Sequence, residues 1–161
     1  MSAFTPSPRK DVPLSKRLDI PPLWLALALL AAYAAHRMLP LVALPGALRW
    51  AGLALMLAAL GLGVWAARGF ARKDTPIHPR RKPRALLTSG AFGISRNPIY
   101  LAMVLLAGGV GLWLGSVGAL VPALALLAVL DRRFVRGEEH HIRKAFRVEW
   151  DAYAERVRRW I

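Results

Sequence analysis

Cysteine is absent from this 161-residue chain, and acidic residues are scarce. The first absence excludes disulfides, thiolate metal sites and a cysteine nucleophile. Between Ile20 and Leu130 the only acidic residue is Asp74, in a chain that is 56% hydrophobic overall. A segment with so few acids cannot form an ordinary solvated surface. The composition therefore predicts an integral membrane protein, and the length predicts a single domain.

The net charge of +14 could indicate a nucleic-acid partner, so the positions of the 23 basic residues must be compared with the apolar segments. Four precede the first apolar segment, two lie between the first and second, eight fall in the central loop and nine follow Leu130. This is the distribution that the positive-inside rule describes, with basic loops in the cytoplasm beside anionic lipid. We predict a protein of the cytoplasmic (inner) membrane that contacts membrane lipids and no nucleic acid.

Three apolar blocks divide the chain after a polar, proline-punctuated N-terminus. Residues 1–19 lack a convincing signal-peptide cleavage site and predict a disordered cytoplasmic lead. The first two blocks, about 22–35 and 48–67, each predict one transmembrane helix. The rest of the chain, 20–161, is predicted to form one membrane domain.

The third apolar block, 99–130, contains 32 uncharged residues. A straight helix of that length would measure about 48 Å, too long for one crossing of a hydrocarbon core about 30 Å thick. Because the basic loop before it and the basic tail after it should share a side, the block should cross twice. We predict a tight helical hairpin near Gly115 and Ser116, with helices at about 99–114 and 117–130.

These assignments give an all-α protein with about four transmembrane helices and both termini in the cytoplasm. Small residues in the hairpin predict close helix packing in lipid. Gly111 and Gly115 form a GxxxG pair, and Gly108 and Gly118 add further small faces.

The tail after Leu130 has an apolar stripe at three- and four-residue steps. Its members are Phe134, Ile142, Phe146, Trp150, Tyr153 and Val157. The opposite face is basic. This pattern predicts a C-terminal amphipathic helix lying against the cytoplasmic headgroups.

Two polar clusters flank the predicted hairpin, SRNPIY at 95–100 and GEEHH at 137–141. Because a hairpin returns the chain to its starting side, the clusters should meet. Pro98 suits the first turn of a helix, which places Arg96 and Asn97 just ahead of the helix and Tyr100 just inside it. A helix N-terminus with a guanidinium suits a carboxylate or phosphate.

The second cluster supplies the opposite charge, because Glu138 and Glu139 suit an ammonium or a ribose diol. Simpler interpretations stay open at this point. Arg96 could reach lipid phosphates, Tyr100 could belong to an aromatic belt at the membrane interface, and the two glutamates could be ordinary salt-bridge partners of a basic tail.

The histidines do not predict a metal site. His140 and His141 are adjacent and so point to different faces of a helix, and His78 stands between two prolines in a loop. The chain has no HExxH, no Ser-His-Asp arrangement and no P-loop. A hydrolase or metalloenzyme is therefore not supported.

The order and spacing of several motifs over about residues 68–161 resemble the isoprenylcysteine carboxyl methyltransferase and phospholipid methyltransferase superfamily. These are small integral-membrane enzymes that use S-adenosylmethionine. The matching positions are Thr88, Gly90 and Phe92; Arg96, Asn97, Pro98 and Tyr100; Glu138 and Glu139; and Phe146, Trp150 and Tyr153. The chain departs from the family at Ala102 and Arg147, where glycine is usual, and its Asn97 in place of histidine resembles the bacterial and phospholipid-directed branches.

The resemblance implies O- or N-methyl transfer from S-adenosylmethionine to a lipophilic acceptor at the cytoplasmic face, either an isoprenylcysteine-like carboxylate or a phospholipid amine. It implies that Arg96 and Glu138 are catalytic. It also implies a cofactor-binding set of Arg96, Asn97, Pro98, Tyr100, Glu138 and Glu139. Two alternatives remain, an NADPH-dependent membrane reductase of similar architecture and a non-enzymatic four-helix membrane protein. Binding of S-adenosylmethionine or of NADPH would separate them.

Overall fold

The computed structural model describes residues 19–39, 42–72 and 85–161. Apart from Asp19, the predicted disordered lead lies outside the described residues. The predicted loop around His78 and the basic run from Arg80 to Arg84 also lie outside them.

Every regular element in the described ranges is helical, which confirms the predicted all-α class. The α-helices are α1 (Pro21–Met38), α2 (Leu48–Arg72), α3 (Pro98–Leu114), α4 (Val121–Leu130), α5 (Arg136–Ala145) and α6 (Arg147–Arg156). Short 3-10 turns cover Gly90–Gly93 and Val117–Leu120, and a π-helical segment covers Asp131–Val135.

The first two helices are longer than the apolar blocks that predicted them. A pair of prolines occupies the first turn of α1, where a missing N–H costs no hydrogen bond. Within the described residues, α2 is the one helix that is both long and apolar enough to cross a membrane, and α3 is a shorter apolar helix. The four crossings therefore stay a prediction.

The chain reverses after α3 at Gly115, whose φ of 77° lies in the left-handed region that favours glycine. The second half of the apolar block begins as a 3-10 turn and becomes α-helical at Val121, four residues later than predicted. Two hydrogen bonds tie this turn to the α1–α2 loop, from Leu44 N–H to the Gly115 carbonyl (2.8 Å) and from Val117 N–H to the Val42 carbonyl (3.0 Å). The two loops therefore lie together at one end of the helices.

Glycine allows the closest helix contacts, but only partly at the predicted positions. A Cβ on Gly52 of α2 would lie 2.7 Å from the Gly109 carbonyl oxygen of α3, so these backbones touch. Gly111 is similarly close to the Ala119 carbonyl, as predicted for a packing glycine. Gly115 forms the turn rather than a packing face, so the predicted GxxxG pair is wrong.

The burial pattern of α1 and α2 is the reverse of that in a water-soluble protein. The buried residues of α2 are Gly52, Ala59 and Ala66, each seven positions apart, while Leu57 is 62% exposed. In α1 the 66% exposed Leu30 stands two positions before a buried alanine. Water would favour burial of the large side chains. Small residues between helices with leucine outside are typical of helices packed in lipid.

The predicted single interfacial helix of the tail is wrong. Helix α4 continues through the π-helical segment into α5, and the chain then breaks at Phe146 before α6 begins. Most of the apolar stripe packs against the protein, with Phe134, Trp150, Tyr153 and Val157 buried and Ile142 and Phe146 half-buried. Trp150, Tyr153 and Val157 pack with Leu86, whereas Phe134 stacks on a side chain of α3. Sequence periodicity detects an apolar face, but a π-helical insertion rotates every later residue about the helix axis.

Candidate active site

The start of α3 carries the first group of site residues. Pro98 occupies its first turn, Asn97 precedes it and Tyr100 lies inside it, as predicted. Upstream, the Tyr153 hydroxyl donates a hydrogen bond to the Phe92 carbonyl (2.7 Å), which fixes the 3-10 turn before the helix to α6. Burial raises the pKa of Tyr153, so this phenol stays protonated as the donor.

The two polar clusters meet, which confirms that prediction. The Tyr100 hydroxyl donates to Glu138 Oε1 at 2.5 Å, and Asn97 Nδ2 donates to Glu139 Oε1 at 3.0 Å. Arg96 Nε lies 3.2 Å from the same oxygen of Glu139. The two adjacent glutamates therefore have different partners, and their roles in binding or catalysis stay predictions.

Glu139 is the centre of the larger of these networks. Its side chain is buried, and its second oxygen accepts hydrogen bonds from Nε (3.0 Å) and Nη2 (2.8 Å) of Arg159. Arg159 also reaches Asp131 in the π-helical segment, with Nη1 3.5 Å from Oδ1. The bonds to Glu139 raise the pKa of Arg159, so the guanidinium stays charged. Glu139 is thus a carboxylate held between two guanidiniums.

Arg96 points into the protein, with its side chain only 14% exposed. Its guanidinium carbon lies 5.5 Å from the centroid of the Trp150 ring, and Nη1 donates to the Ala154 carbonyl at 3.4 Å. Although Nε is close to Glu139, its N–H is not directed at the carboxylate, and no described residue accepts a hydrogen bond from it. This orientation disfavours the lipid-phosphate interpretation of Arg96 and leaves a buried donor for another group.

Glu138 has a different environment from its neighbour. It lies close to Tyr100, whose ring stacks on Phe134 with a centroid distance of 6.3 Å. Burial raises the pKa of Glu138 to about 7, against the opposing effects of the Tyr100 hydroxyl and His141. The burial of Tyr100 and its bond to this glutamate disfavour the aromatic-belt interpretation. A carboxyl group with this pKa can exchange a proton near neutral pH.

Two cavities adjoin these residues. The larger one, here called the polar cleft, has a volume of about 830 Å³, and charged side chains dominate its walls. The smaller one, here called the apolar pocket, has a volume of about 270 Å³. The polar cleft is lined by Arg96, Arg136, Glu139, Arg143, Trp150 and Arg159 among others. The apolar pocket is lined by Pro21, Phe70, Phe92, Tyr100, Met103 and Glu138 among others, and also by Arg96.

Sequence reasoning missed three residues of this site. Ser95 donates from its hydroxyl to the Arg159 carbonyl (3.0 Å), and Asp131 and Arg159 extend the charged network. Arg159 is one of nine basic residues in the tail, next to Arg158. No local pattern distinguishes these two arginines, because only the folded chain brings one of them to Glu139.

The sequence model of the phospholipid methyltransferase family matches residues 47–149. The matched range runs from the start of α2 into α6 and includes every predicted site residue. No curated protein and no solved structure matches the chain at a significant level. The family match covers well over half of the 161 residues. The chain therefore belongs to the phospholipid methyltransferase family, which is membrane-associated.

Proposed function

We propose that this protein is an S-adenosylmethionine-dependent methyltransferase that acts on a lipophilic acceptor at the cytoplasmic face of the inner membrane. One observation carries the proposal: adjacent glutamates face different cavities, Glu139 the polar cleft and Glu138 the apolar pocket. Arg96 lines both. A transferase needs one compartment for each reactant and a point where they adjoin.

The polar cleft fits the charged end of the cofactor. Methyltransferases of this family generally use S-adenosylmethionine, whose amino-acid end carries an ammonium and a carboxylate. Glu139 offers the negative charge and Arg96 the positive charge, with a buried Nε–H that lacks an acceptor among the described residues. Asn97 fixes Glu139, and Pro98 starts the helix that places both Asn97 and Arg96. When bound, the cofactor supplies an electrophilic methyl group on a sulfonium.

The apolar pocket suits the reacting part of a lipophilic molecule. Helices α1, α2 and α3 contribute Pro21, Phe70 and Met103 to its walls. At about 270 Å³ it is slightly smaller than the range of about 300–1,000 Å³ found for small-molecule sites, so a long hydrocarbon chain would extend beyond it. The exposed leucines of α1 and α2 support a lipid environment for these helices, and an acceptor would enter sideways from that lipid.

Glu138 favours an amine over a carboxylate as the acceptor. An ammonium must lose a proton before its nitrogen can attack, and a half-buried glutamate with a pKa of about 7 can take that proton. The Tyr100 hydroxyl holds the carboxylate in place for this transfer. A carboxylate acceptor needs no base and would meet repulsion from Glu138 once that group ionises. The proposal thus assigns Glu138 to the acceptor and keeps Glu139 for the cofactor.

The membrane arrangement proposed with this function has four crossings, with both termini and the site on the cytoplasmic side. The reversed burial of α1 and α2 supports it, as does the joining of the α1–α2 loop to the turn after α3. That joined end lies at the far end of α3 from Arg96 and Asn97.

The test is incubation of the purified protein with methyl-labelled cofactor and total membrane lipid, followed by mass analysis of the labelled species. We expect label on an amine-bearing lipid. A labelled carboxyl ester would overturn the amine acceptor but not the methyltransferase. Label confined to water-soluble metabolites would contradict the lipophilic acceptor, and binding of NADPH without S-adenosylmethionine would indicate a reductase instead.

A further inference from the structure

The last residues of the chain complete the polar cleft. The Arg158 carbonyl accepts a hydrogen bond from the backbone N–H of Arg96 (3.0 Å), and the Arg159 carbonyl accepts from the hydroxyl of Ser95 (3.0 Å) and from Asn97 Nδ2 (3.4 Å). The C-terminal segment is thus joined by main-chain carbonyls to three consecutive residues ahead of α3. It lies beyond the range that matches the family model, which ends at Glu149.

The side chain of Arg159 retains donors for a ligand. A guanidinium has five N–H groups. Nε and Nη2 of Arg159 each donate to Glu139, and Nη1 donates to Asp131. Two N–H groups are left without an acceptor among the described residues, on a side chain that is 35% exposed and lines the polar cleft.

The charge around Glu139 favours an anion. Arg96, Arg136 and Arg159 contribute three positive charges, and Asp131 and Glu139 contribute two negative ones, all within one ion-pair network. The network therefore has an excess of one positive charge, while the cleft wall also carries the Arg143–Asp151 ion pair and the negative charge of Glu155. A carboxylate on a ligand would neutralise that excess, and a bidentate guanidinium suits its geometry.

We propose that Arg159 is a cofactor-binding residue, acting with Arg96 on the carboxylate of the cofactor's amino-acid end while holding Glu139 towards the ammonium. This inference rests on the proposed function and extends the site beyond the family's motifs to the C-terminal segment. Because the contact is made only with the amino-acid end, a ligand without that end should not depend on Arg159.

Two ligands separate this role from a structural one. S-adenosylhomocysteine carries the amino-acid end, whereas 5′-methylthioadenosine shares the adenosine and sulfur but lacks that end. The matched control for Arg159→Ala is Arg158→Ala, because Arg158 is the neighbouring arginine and its side chain is exposed. Isothermal titration in detergent measures the dissociation constant of each ligand for each variant.

We expect Arg159→Ala to weaken S-adenosylhomocysteine about tenfold or more and to leave 5′-methylthioadenosine within about twofold of the wild type. The affinity of Arg159→Lys for S-adenosylhomocysteine should lie between those of Arg159→Ala and the wild type, because lysine keeps the positive charge but lacks the planar set of guanidinium donors. If Arg159→Ala does not fold, the comparison of the two ligands with Arg159→Lys tests the role of Arg159 instead. Arg158→Ala should bind both ligands as the wild type does.

Equal weakening of both ligands in the Arg159 variants would mean that Arg159 acts only on the fold, and no weakening of either would mean that it does not touch the cofactor. Either result overturns the inference while leaving the proposed function intact. Wild-type protein that is folded yet binds neither ligand would overturn the proposed function itself, and the inference with it.

Discussion

The first two helices, α1 and α2, bury opposite kinds of residue from the polar end, which is formed by residues 95–97, α5, α6 and the C-terminal segment. The helices pack through Gly52, Ala59 and Ala66 and expose leucine. The polar end buries Glu139 and large aromatics such as Tyr153. The difference is typical of a protein that contacts two solvents, since exposed leucine costs less free energy in lipid than in water.

The two regions are also held together by different kinds of contact. Backbone contact, such as that of Gly52 with Gly109, holds the helices at a short distance. A hydrogen-bonded charge network centred on Glu139 holds the polar end. The site lies where the regions meet, at the N-terminus of α3, as the proposed function requires of an enzyme that takes one reactant from lipid and another from water.

Labelling of introduced cysteines should give the largest effect, because accessibility to an impermeant reagent is all or none. The absence of native cysteine makes the background clean. We expect Ser89→Cys and Ala154→Cys to react from the same side of the membrane. Ala47→Cys, in the α1–α2 loop at the other end of the helices, should react from the opposite side. If Ser89→Cys and Ala154→Cys react from opposite sides, the two crossings proposed for 99–130 are wrong.

Removal of the central carboxylate should give the next largest effect. Glu139→Ala would leave the guanidiniums of Arg96 and Arg159 facing each other without a counter-charge. We expect a loss of about 3 kcal/mol in the free energy of unfolding, towards the lower end for a broken buried pair because Arg159 is partly exposed. Unfolding in detergent measures it. Glu149→Ala, an exposed acid of α6, is the control and should change little; equal losses in both would contradict the network.

A smaller loss is expected from glycine substitutions in α2. Gly52→Ala places a Cβ 2.7 Å from backbone atoms of Gly109 and Trp113, which cannot move aside. We expect this overpacking to cost about 1–3 kcal/mol. Gly61→Ala is the matched control in the same helix, since nothing lies within 4 Å of its Cβ position. Thermal unfolding of the two variants compares them, and equal stabilities would argue against the close contact of α2 and α3.

A further effect concerns the pH dependence of stability. The pKa of Glu138 is about 7 in the folded protein against 4.5 ordinarily, so the folded state binds more protons between these values and loses stability as pH rises through them. Glu138→Gln does not titrate. The stability of this variant relative to the wild type should therefore increase from about pH 5 to about pH 8. Melting temperatures across that range measure it, and parallel curves would show that Glu138 titrates normally.

The pH dependence of the methyl-transfer rate should have the opposite sign to that of the wild-type stability. Since an amine acceptor needs ionised Glu138, wild-type activity should rise with pH through about 7. The rise should be absent in Glu138→Gln. If the activity of Glu138→Gln still rises with pH, the titrating group is the acceptor and not Glu138.

The sequence allowed prediction of the helices, the start of α3 and the meeting of the two polar clusters, because these follow from apolar length, Pro98 and chain reversal. The glutamate pair was found because it is adjacent in sequence and joins a known motif. That Glu138 and Glu139 face different cavities was not predictable, since it depends on the path of α5 after the π-helical segment.

The other features that sequence analysis did not predict all depend on tertiary contacts. The apolar stripe of the tail was predicted to contact lipid headgroups, because periodicity does not say what covers an apolar face. In the structure, Leu86 is one of the residues that cover it. Gly109 was not distinguished from Gly108 and Gly111, because only the crossing point with α2 decides which glycine touches a partner backbone. Arg159 was missed for the same reason.

The central claim is that the adjacent glutamates serve different reactants, and cofactor binding to two matched variants tests it most directly. Titration of S-adenosylhomocysteine into Glu138→Gln and Glu139→Gln compares single amide substitutions one residue apart. The account predicts that Glu139→Gln weakens binding about tenfold or more, while Glu138→Gln binds nearly as the wild type does but transfers methyl groups to lipid far more slowly. Loss of binding in Glu138→Gln with retention in Glu139→Gln would contradict it.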